Sequence, residues 1–541
     1  MLFLLSAGIT AAVMFAANSV GSVPGLSSIF VTLFVYRDYA GAVGLLLILL
    51  AALFVPESVP ARSLLLCLGA SPKLVAICTA AVLSLGSLLI YRNHPLAMDE
   101  YAQFFQSQIF AHGHLSAHFP PALLDWLVPE GFQNQFLTVS KETGAVASAY
   151  WPGFALLLTP FTFLGVPWVC NPIITGVTLI AFHRLAIRIF ASREAAGLTL
   201  LLTLASPEFL ADGISYYSMP THLLANSVFA LLLLDPTPRH AFLAGIVGSV
   251  ALTLHNPVPH MLFALPWLAW LATRTRRLHL LGAIAAGYAP LCLLLGVGWF
   301  WFTSALRETS LDHLESASAH LGEIQHVFAI PDVTNLLARM IGLAKIWAWA
   351  LPGLPLLALI GAWRSRHDTA CTLLSASALS TFAGYLFVAM DQGHGWGFRY
   401  FHSAWVALPL LGTAAIHEHE RAVRAFVVGC AVLTLLLGTA LRASQIHSFI
   451  SAQMAQVPAY AGDERRVVII DPTVSYYAAD LVQNDPYLQG TVIRMITRGS
   501  SQDAQMMRAY FPGMRRVYAD KYGSVWSTAP ADPRSAPGTL E

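Results

Sequence analysis

Two adjacent carboxylates, Asp99 and Glu100, follow an apolar stretch that runs from Lys73 to Tyr91. A stretch of this length crosses a bilayer once as a helix, so the acidic pair lies at the mouth of a membrane-spanning helix. Ionisable side chains beside lipid are costly and concentrate at functional sites. The pair therefore predicts a general base at the membrane surface, suited to a lipid-linked substrate. A solvated helix end is the alternative interpretation.

A second candidate is Arg399, which ends a Gly-rich segment that begins at Asp391. Glycines let a backbone approach a ligand closely, and the planar guanidinium group fits a phosphate. The alternative is an arginine whose side chain extends to the lipid headgroups. The Gly-rich setting favours phosphate binding, with His394 of the same segment as a further phosphate ligand.

Two histidines, His255 and His260, flank the prolines Pro257 and Pro259. These prolines interrupt an otherwise apolar helical pair and free backbone groups near membrane depth. Irregular backbone is tolerated there mainly where it faces protein or a water-filled cavity. Both histidines are thus candidates to bind phosphate or a metal, and a polar turn with exposed imidazoles is the alternative.

Aromatic and polar residues at the same side of the membrane are candidates for an acceptor or lipid groove. Tyr150 and Trp151 precede a Pro-Gly turn, although interfacial anchoring is the commoner role of such residues. Tyr217 and His222 lie in a short polar segment, and a simple turn is enough to explain its composition. Trp396 lies among the glycines before Arg399.

The composition places these residues in a membrane protein. Of 541 residues, 56% are hydrophobic and only 11% are charged, whereas soluble domains carry about 25% charged residues. Span lengths predict a polytopic α-helical protein with about 13 transmembrane helices. The net charge of +1 gives no basis for a polyanionic partner, so nucleic acid is excluded. The six cysteines form no CxxC motif, and we interpret them as core residues.

Basic residues in the short loops indicate the orientation. They place the N-terminus in the cytoplasm, and residues 1–20, which contain no Lys or Arg, are predicted to be a retained span rather than a cleaved signal peptide. The outer side then receives a large loop at 92–169, with juxtamembrane helices, and a second outer loop at 303–339. We predict a transmembrane domain over 1–441 and a small outer α/β domain over 442–541.

The outer α/β domain is predicted from period-two apolar segments. Strands are expected at 467–471, 492–496 and 517–520, and a helix at 501–511. The tail from Ala529 is rich in Pro and Ala and is predicted to be loose.

The order and sidedness of these motifs resemble the GT-C superfamily of membrane glycosyltransferases, especially the protein O-mannosyltransferase-like and aminoarabinose-transferase-like branch. The resemblance covers most of the chain. It rests on the acidic pair in the first large outer loop, on Tyr150-Trp-Pro-Gly153, which is similar to the family's Tyr-Pro-Pro-Gly, and on Gly397-Phe-Arg399-Tyr, which is similar to its Gly-Pro-Arg-Tyr. Trp151 and Phe398 each stand where the family often has proline.

The resemblance implies an inverting glycosyltransferase that moves a sugar from a polyprenyl-phosphate donor to a hydroxyl of a cell-envelope glycan, lipid or protein. It implies Asp99 as general base with Glu100 assisting, and Arg399 with the histidines as ligands of the departing phosphate. Some relatives hold a divalent cation and others do not, so Mg²⁺ or Mn²⁺ at Asp99 stays open. A bacterial inner membrane, with the active site on the periplasmic face, is the expected location.

Two rival functions remain. A transporter or flippase of a lipid-linked or small anionic substrate would also have many helices, but transporters usually place ionisable residues near the bilayer midplane. A membrane ligase for diphosphate-linked glycans would have more arginines in its outer loops. The chain contains no P-loop, GxSxG, HExxH or Rossmann motif, which argues against an ATP-driven pump and a soluble-type hydrolase.

Overall fold

The protein is described here by a computed structural model of the full chain. It describes residues 1–21, 28–56, 60–273, 277–307, 328–419, 421–460, 462–474 and 477–528. Most of the second predicted outer loop and the predicted loose tail lie outside these ranges. The chain divides into two compact units. The first contains the described residues of Met1–Asn93, Trp168–Gly296 and Leu314–Ile446, and the second those of His94–Pro167, Val297–His313 and His447–Glu541.

The first unit is built from α-helices. The helices before the first large loop are α1 (Leu2–Val20), α2 (Ile29–Leu33), α3 (Tyr39–Ala52), α4 (Ala61–Ala70) and α5 (Pro72–Leu89). A second group follows the first large loop. It comprises α9 (Cys170–Phe190), α10 (Arg193–Leu204), α11 (Pro207–Gly213), α12 (Met219–Leu233), α13 (Pro238–Thr253), α14 (Val258–Thr273) and α15 (Leu278–Leu291).

The last group of helices begins within the predicted second outer loop, 303–339. It comprises α17 (Val333–Trp349), α18 (Leu354–Arg364), α19 (Thr369–Tyr385), α20 (Arg399–His402), α21 (Ala407–Ile416), α22 (Arg421–Leu433) and α23 (Thr439–Met454). Single π-helical turns lie at Phe34–Asp38, Cys292–Val297 and Thr434–Gly438. The first unit includes α23 as far as Ile446, and the rest of α23 belongs to the second unit.

Fewer helices are long and apolar enough to span a membrane than the sequence predicted. Among the described residues, six helices are long and apolar enough to cross a membrane, or up to eight if each of two bent pairs is one span. One bent pair is α10 with α11, which meet at 69°, and the other is α17 with α18, which meet at 99°. The predicted count of about 13 is not confirmed, because several apolar helices, such as α12, are shorter than a full span.

Local sequence sets where several helices begin. Side-chain oxygens of Ser192, Asp332 and Asp368 accept hydrogen bonds from backbone amides in the first turns of α10, α17 and α19. Such caps satisfy amides that have no partner within the helix.

Small residues allow close approach between helices of the first unit. Gly245 of α13 and Gly287 of α15 face each other, and a Cβ on Gly245 would lie 2.9 Å from the Gly287 Cα and would overlap the Ile284 carbonyl. Close contact between glycines is a common way to pack helices in membranes, where dispersion rather than water exclusion drives association.

The second unit combines helices and two small sheets. Its remaining helices are α6 (Met98–Ala111), α7 (Leu124–Leu127), α8 (Gly153–Phe163), α16 (Gly298–Arg307) and α24 (Ser500–Tyr510). Its strands are β1 (Ala117–His118), β2 (Leu137–Val139), β3 (Ala145–Ser148), β4 (Arg466–Ile470), β5 (Val492–Ile496), β6 (Arg515–Asp520) and β7 (Gly523–Ser527).

The two sheets have simple topologies. The first is antiparallel with the order β1-β3-β2, and the second has the order β5-β4-β7-β6, with β4 and β5 parallel and the other pairs antiparallel. The three strands and the helix that the sequence predicted in this region are present, with small shifts of their ends. The sequence analysis missed β7, which forms the hairpin partner of β6.

One hydrophobic core joins the first large loop to the C-terminal segment. Phe105 of α6 and Val146 of β3 are buried in the same cluster as Val467 of β4, Met495 of β5 and Met506 of α24. Burial of apolar side chains is the main stabilising contribution in such a cluster. The loop and the C-terminal sheet therefore fold as one unit that supports α6.

We predict that Gly245→Ala destabilises the protein and that Gly282→Ala does not. The methyl group at Gly245 meets backbone of α15, and overpacking of this kind costs about 1–3 kcal/mol. Gly282 lies on α15 with no atom within 4 Å of an added Cβ, and alanine favours a helix over glycine by about 1 kcal/mol. Apparent melting temperatures in detergent measure both effects. Equal melting temperatures for the two variants would contradict the packing between α13 and α15.

Candidate functional site

The two acidic residues of the first loop have different surroundings. Asp99 is partly exposed, and its Oδ1 accepts a hydrogen bond from the Tyr150 hydroxyl. Glu100 is fully buried, and its Oε2 accepts a hydrogen bond from the Leu96 amide just before α6. This bond ties Leu96, the residue before the N-cap Ala97, to the first turn of the helix. Asp99 is thus the more accessible member of the pair.

Side chains from the C-terminal segment hold the chain that leads into α6. The amide nitrogens of Gln453 and Gln483 donate to the carbonyls of Leu96 (3.1 Å) and Pro95 (2.8 Å). The Met98 amide donates to Asp480 Oδ1 at 2.9 Å. The Met98 amide is one of the first-turn donors that have no partner within a helix, and the two carbonyls lie just before the helix. The position of Asp99 therefore depends on residues more than 350 positions away.

Asp480 is the functional candidate that the sequence analysis missed. It is 6% exposed and lies close enough to Asp99 for their charges to interact. Burial raises the pKa of Asp480 to about 7, the hydrogen bond from the Met98 amide opposes this rise, and the charge of Asp99 adds to it. No local pattern marks Asp480, because its role arises only from the long-range contact with the start of α6.

The aromatic turn at the end of the first loop leads into α8. Tyr150 bonds Asp99, and its ring makes an edge-on contact with Phe136 at 6.2 Å between centroids. Trp151 is partly buried, and Pro152 immediately precedes Gly153, the first residue of α8. The structure therefore brings Asp99 and Tyr150 together, as neighbours in one unit.

In the first unit, the Gly-rich segment before α20 is a compact turn around Arg399. Gly393, Gly395 and Gly397 all have positive φ angles, which only glycine adopts without strain. The Arg399 amide donates to Gln392 Oε1 at 2.8 Å, and Arg399 Nη2 donates to the Gln392 carbonyl. The segment thus holds the arginine in one place.

Arg399 also contacts one of the predicted groove residues. Its guanidinium carbon lies 4.1 Å from the centre of the Tyr217 ring, within the range of a cation–π interaction. His394 is buried in the same segment. Trp396 is 1% exposed, and its ring packs at 6.0 Å from that of Trp349. Trp396 therefore occupies a core position.

The histidines between α12 and α15 form two hydrogen-bonded groups. His255 Nδ1 lies 2.8 Å from Ser218 Oγ and 3.2 Å from His222 Nε2, and His255 Nε2 lies 2.5 Å from Asn256 Nδ2. The structure thus brings His222 and His255 together.

His260 belongs to the second of these groups. Its Nδ1 lies 2.6 Å from Asn226 Oδ1, and its Nε2 lies 2.7 Å from the Tyr288 hydroxyl. Both ring nitrogens of His260 therefore have partners within the protein.

An apolar cavity of about 280 Å³ lies in the first unit between α5, α11 and α23. Its lining includes Val82, Leu83, Leu210, Ile214 and Ile446, and Arg442 is the single charged residue that borders it. None of the predicted groove residues lines this cavity.

Among the described residues, one group of side chains has the spacing of metal ligands. It consists of Glu208, Asp212 and His402. Asp99, where the sequence left a Mg²⁺ or Mn²⁺ ion open, belongs to no such group within the described ranges.

Two solved structures of ArnT from Cupriavidus metallidurans are similar to this chain. The structure bound to undecaprenyl phosphate matches with a TM-score of 0.54 and 12% identity over 86% of this chain and 99% of ArnT. The apo structure matches with a TM-score of 0.51 and 15% identity over 84% of this chain and 97% of ArnT. No protein-family model matches the chain. No curated protein matches it either.

The similarity to ArnT spans most of both chains, and at these identities it shows the fold. The GT-C resemblance predicted from the short motifs is therefore confirmed at the level of the fold. The largely helical architecture agrees with this resemblance. The sheet β1-β3-β2 in the first large loop was not predicted from the sequence.

Asp480 predicts a pH dependence of stability. Between about pH 4 and pH 7 the folded protein keeps a proton on Asp480 that the unfolded chain loses, so stability falls as the pH rises through this range. Asp480→Asn retains an acceptor for the Met98 amide but does not titrate. We expect its apparent melting temperature to fall less than that of the wild type from pH 5 to pH 8. The corresponding difference in unfolding free energy is on the order of a few kcal/mol at most.

The control for this comparison is Asp463→Asn, which changes an exposed aspartate in the same segment. It should retain the pH slope of the wild type. Parallel curves for the wild type and Asp480→Asn would show that Asp480 is ionised in the folded protein throughout this range.

Proposed function

We propose that the protein is an inverting glycosyltransferase that moves a sugar from a polyprenyl-phosphate donor to a hydroxyl of a cell-envelope acceptor on the outer face of the membrane. The observation that carries this proposal is a reachable carboxylate, Asp99, held by Tyr150 at the start of α6 in a chain with the fold of ArnT. The ArnT structure bound to undecaprenyl phosphate supports a polyprenyl-phosphate carrier.

We assign Asp99 as the general base that takes the proton of the acceptor hydroxyl. It is partly exposed, and the hydrogen bond from Tyr150 fixes its orientation. A positioned base contributes about 10²–10⁴-fold to rate. We assign Glu100 to positioning of the helix start rather than to acceptor contact, because it is fully buried and bonds the Leu96 amide.

The departing group in this reaction is a lipid phosphate. Glycoside hydrolysis needs a second carboxyl as acid because an alkoxide leaves poorly. A phosphate is a far better leaving group, so cationic or hydrogen-bonding groups suffice to stabilise it. One carboxylate base with one arginine is therefore a sufficient set for the reaction.

Arg399 is the main candidate for the phosphate ligand. Its backbone and side chain are fixed by Gln392, and its guanidinium lies against Tyr217, so its position is set before a donor binds. A cation that is already held in position does not have to be reoriented when its ligand binds, so little binding free energy is lost. His394 lies in the same segment, whereas His255 and His260 each have both ring nitrogens occupied by partners in the protein.

We assign the polyprenyl tail to the apolar cavity between α5, α11 and α23. Its lining is almost entirely apolar, as an isoprenoid chain requires. This replaces the acceptor or lipid groove at Tyr150 and Trp151 that the sequence suggested. Tyr150 and Trp151 then belong to the surroundings of Asp99, and Tyr217 and His222 to those of Arg399 and His255.

The location and orientation complete the proposal. Multiple apolar helices and the ArnT-like fold support a multi-pass protein of a bacterial inner membrane. We propose a cytoplasmic N-terminus and a periplasmic second unit, because the basic loops fall on the opposite side from Asp99.

A transporter or flippase is the second candidate. The observation in its favour is a buried group of ionisable residues, Asp38, Lys345 and Arg442, inside the helical unit. Transporters place such residues near the membrane midplane. A transporter would move a lipid-linked substrate without cleaving the sugar–phosphate bond, so turnover separates the two functions.

The test of the proposed base is Asp99→Asn in purified protein reconstituted in lipid. Asparagine accepts the Tyr150 hydrogen bond but cannot take a proton, so we expect sugar transfer to fall by about 10²–10⁴-fold. Asp463→Asn, the exposed control, should transfer at the wild-type rate. Transfer at the wild-type rate by correctly folded Asp99→Asn would remove Asp99 from the mechanism.

A further inference from the structure

A buried group of three side chains lies in the first unit, apart from the residues assigned to the reaction. Glu208 and Asp212 lie four residues apart on α11, so they project from the same face of the helix. His402 is the last residue of α20. Its Nδ1 lies 2.8 Å from Asp212 Oδ2 and 3.6 Å from Glu208 Oε1.

This group contains two acidic side chains and one basic side chain. Glu208 and Asp212 are both 0% exposed, and His402 is 1% exposed. One imidazole balances the charge of at most one carboxylate. Burying an unpaired carboxylate costs several kcal/mol, so the second carboxyl group requires either a proton or a cation.

Hydrogen bonds within the protein do not supply this partner. Within the described part of the chain, both carboxylate oxygens of Glu208 and Asp212 Oδ1 are buried without a hydrogen-bond partner. His402 Nδ1 and Asp212 Oδ2 are close, but they are not aligned as a hydrogen bond. Buried polar atoms of this kind are rare and call for an ion or water that satisfies them.

The spacing of the three side chains is that of a cation site. One ligand atom from each residue lies within 4.8 Å of the others. Oxygen and nitrogen ligands at about 2.0–2.2 Å from a small divalent cation lie roughly 3–3.5 Å from each other. The observed separations of 2.8 and 3.6 Å lie just below and just above this range.

We propose that Glu208, Asp212 and His402 bind one divalent cation of the Zn²⁺ or Mn²⁺ class. Imidazole favours zinc and its neighbours, whereas carboxylates also suit manganese, so a mixed set of one nitrogen and two carboxylates selects these ions over Ca²⁺. The cation neutralises the excess negative charge and gives partners to the buried oxygens. Binding of the ion can be tested whether or not the proposed transfer reaction is correct.

The cation would fasten the Gly-rich segment to α11. His402 lies three residues after Arg399 on α20, and Gly397 packs directly on the Glu208 carboxylate, where a Cβ would overlap it. Loss of the ion would leave two carboxylates repelling each other beside this segment. The ion therefore has a positioning role, through His402 and Gly397, for the turn that holds Arg399.

The test is metal content of the full-length protein in detergent, after removal of any histidine tag. The protein is incubated with excess Zn²⁺ or Mn²⁺, desalted and measured by inductively coupled plasma mass spectrometry. We expect one ion per chain in the wild type. Glu208→Gln should weaken binding by at least about 100-fold, and Glu418→Gln, which changes an 88% exposed glutamate, should bind as the wild type does.

Two results would overturn the site: a wild type that binds no ion after loading, or a Glu208→Gln variant that retains it. If Glu208→Gln does not fold, spectroscopy of the loaded wild type decides. Electron paramagnetic resonance of Mn²⁺ or X-ray absorption of Zn²⁺ should show one nitrogen among oxygen ligands. A sulfur ligand, or no nitrogen ligand, would place the ion elsewhere.

Discussion

Charge buried inside an apolar helical unit must be neutralised by a nearby opposite charge, and this constraint shapes the first unit. Lys345 Nζ lies 2.6 Å from Asp38 Oδ2, and Arg442 Nη1 lies 3.1 Å from Asp38 Oδ1. Trp349 Nε1 donates to the same Asp38 oxygen at 2.5 Å. Three segments that are far apart in the sequence are thus tied at one aspartate. Removing one member of such a buried group strands the others and typically costs about 3–5 kcal/mol.

The same group supports the segment that contains Arg399. The Arg442 guanidinium lies 4.1 Å from the centre of the Trp349 ring, and that ring packs against Trp396 among the glycines. The Gly-rich turn is therefore backed by aromatic rings that the ion pairs hold in place. Because Gln392 and Tyr217 also contact the arginine, the proposed phosphate ligand is held in position before a donor binds.

In the second unit, one carboxylate stays accessible beside two buried acidic residues. Glu100 and Asp480 are buried and bond backbone amides at the start of α6, whereas Asp99 stays accessible. Burial of Asp480 favours its neutral form. Of the three carboxyl groups only Asp99 is partly exposed, and for this reason we propose it as the base.

The sequence predicted what local patterns encode. Apolar stretches indicated the membrane helices, period-two alternation indicated three strands of the C-terminal sheet, and the acidic pair and Arg399 stood out by type and position. It could not predict Asp480, whose partner Met98 lies 382 residues away, or the meeting of Glu208 with His402. It also predicted more spans than the helix lengths support, because short apolar helices resemble full spans in composition.

The central claim is that the protein cleaves a polyprenyl-phosphate sugar. The most direct measurement is the release of free polyprenyl phosphate when the protein, reconstituted in lipid vesicles, is incubated with a panel of such donors and an envelope-glycan extract as acceptor. We expect release of free polyprenyl phosphate from at least one donor, with the sugar recovered on the acceptor. Binding or movement of intact donor across the vesicle membrane, with no release from any donor, would contradict it and favour the transporter.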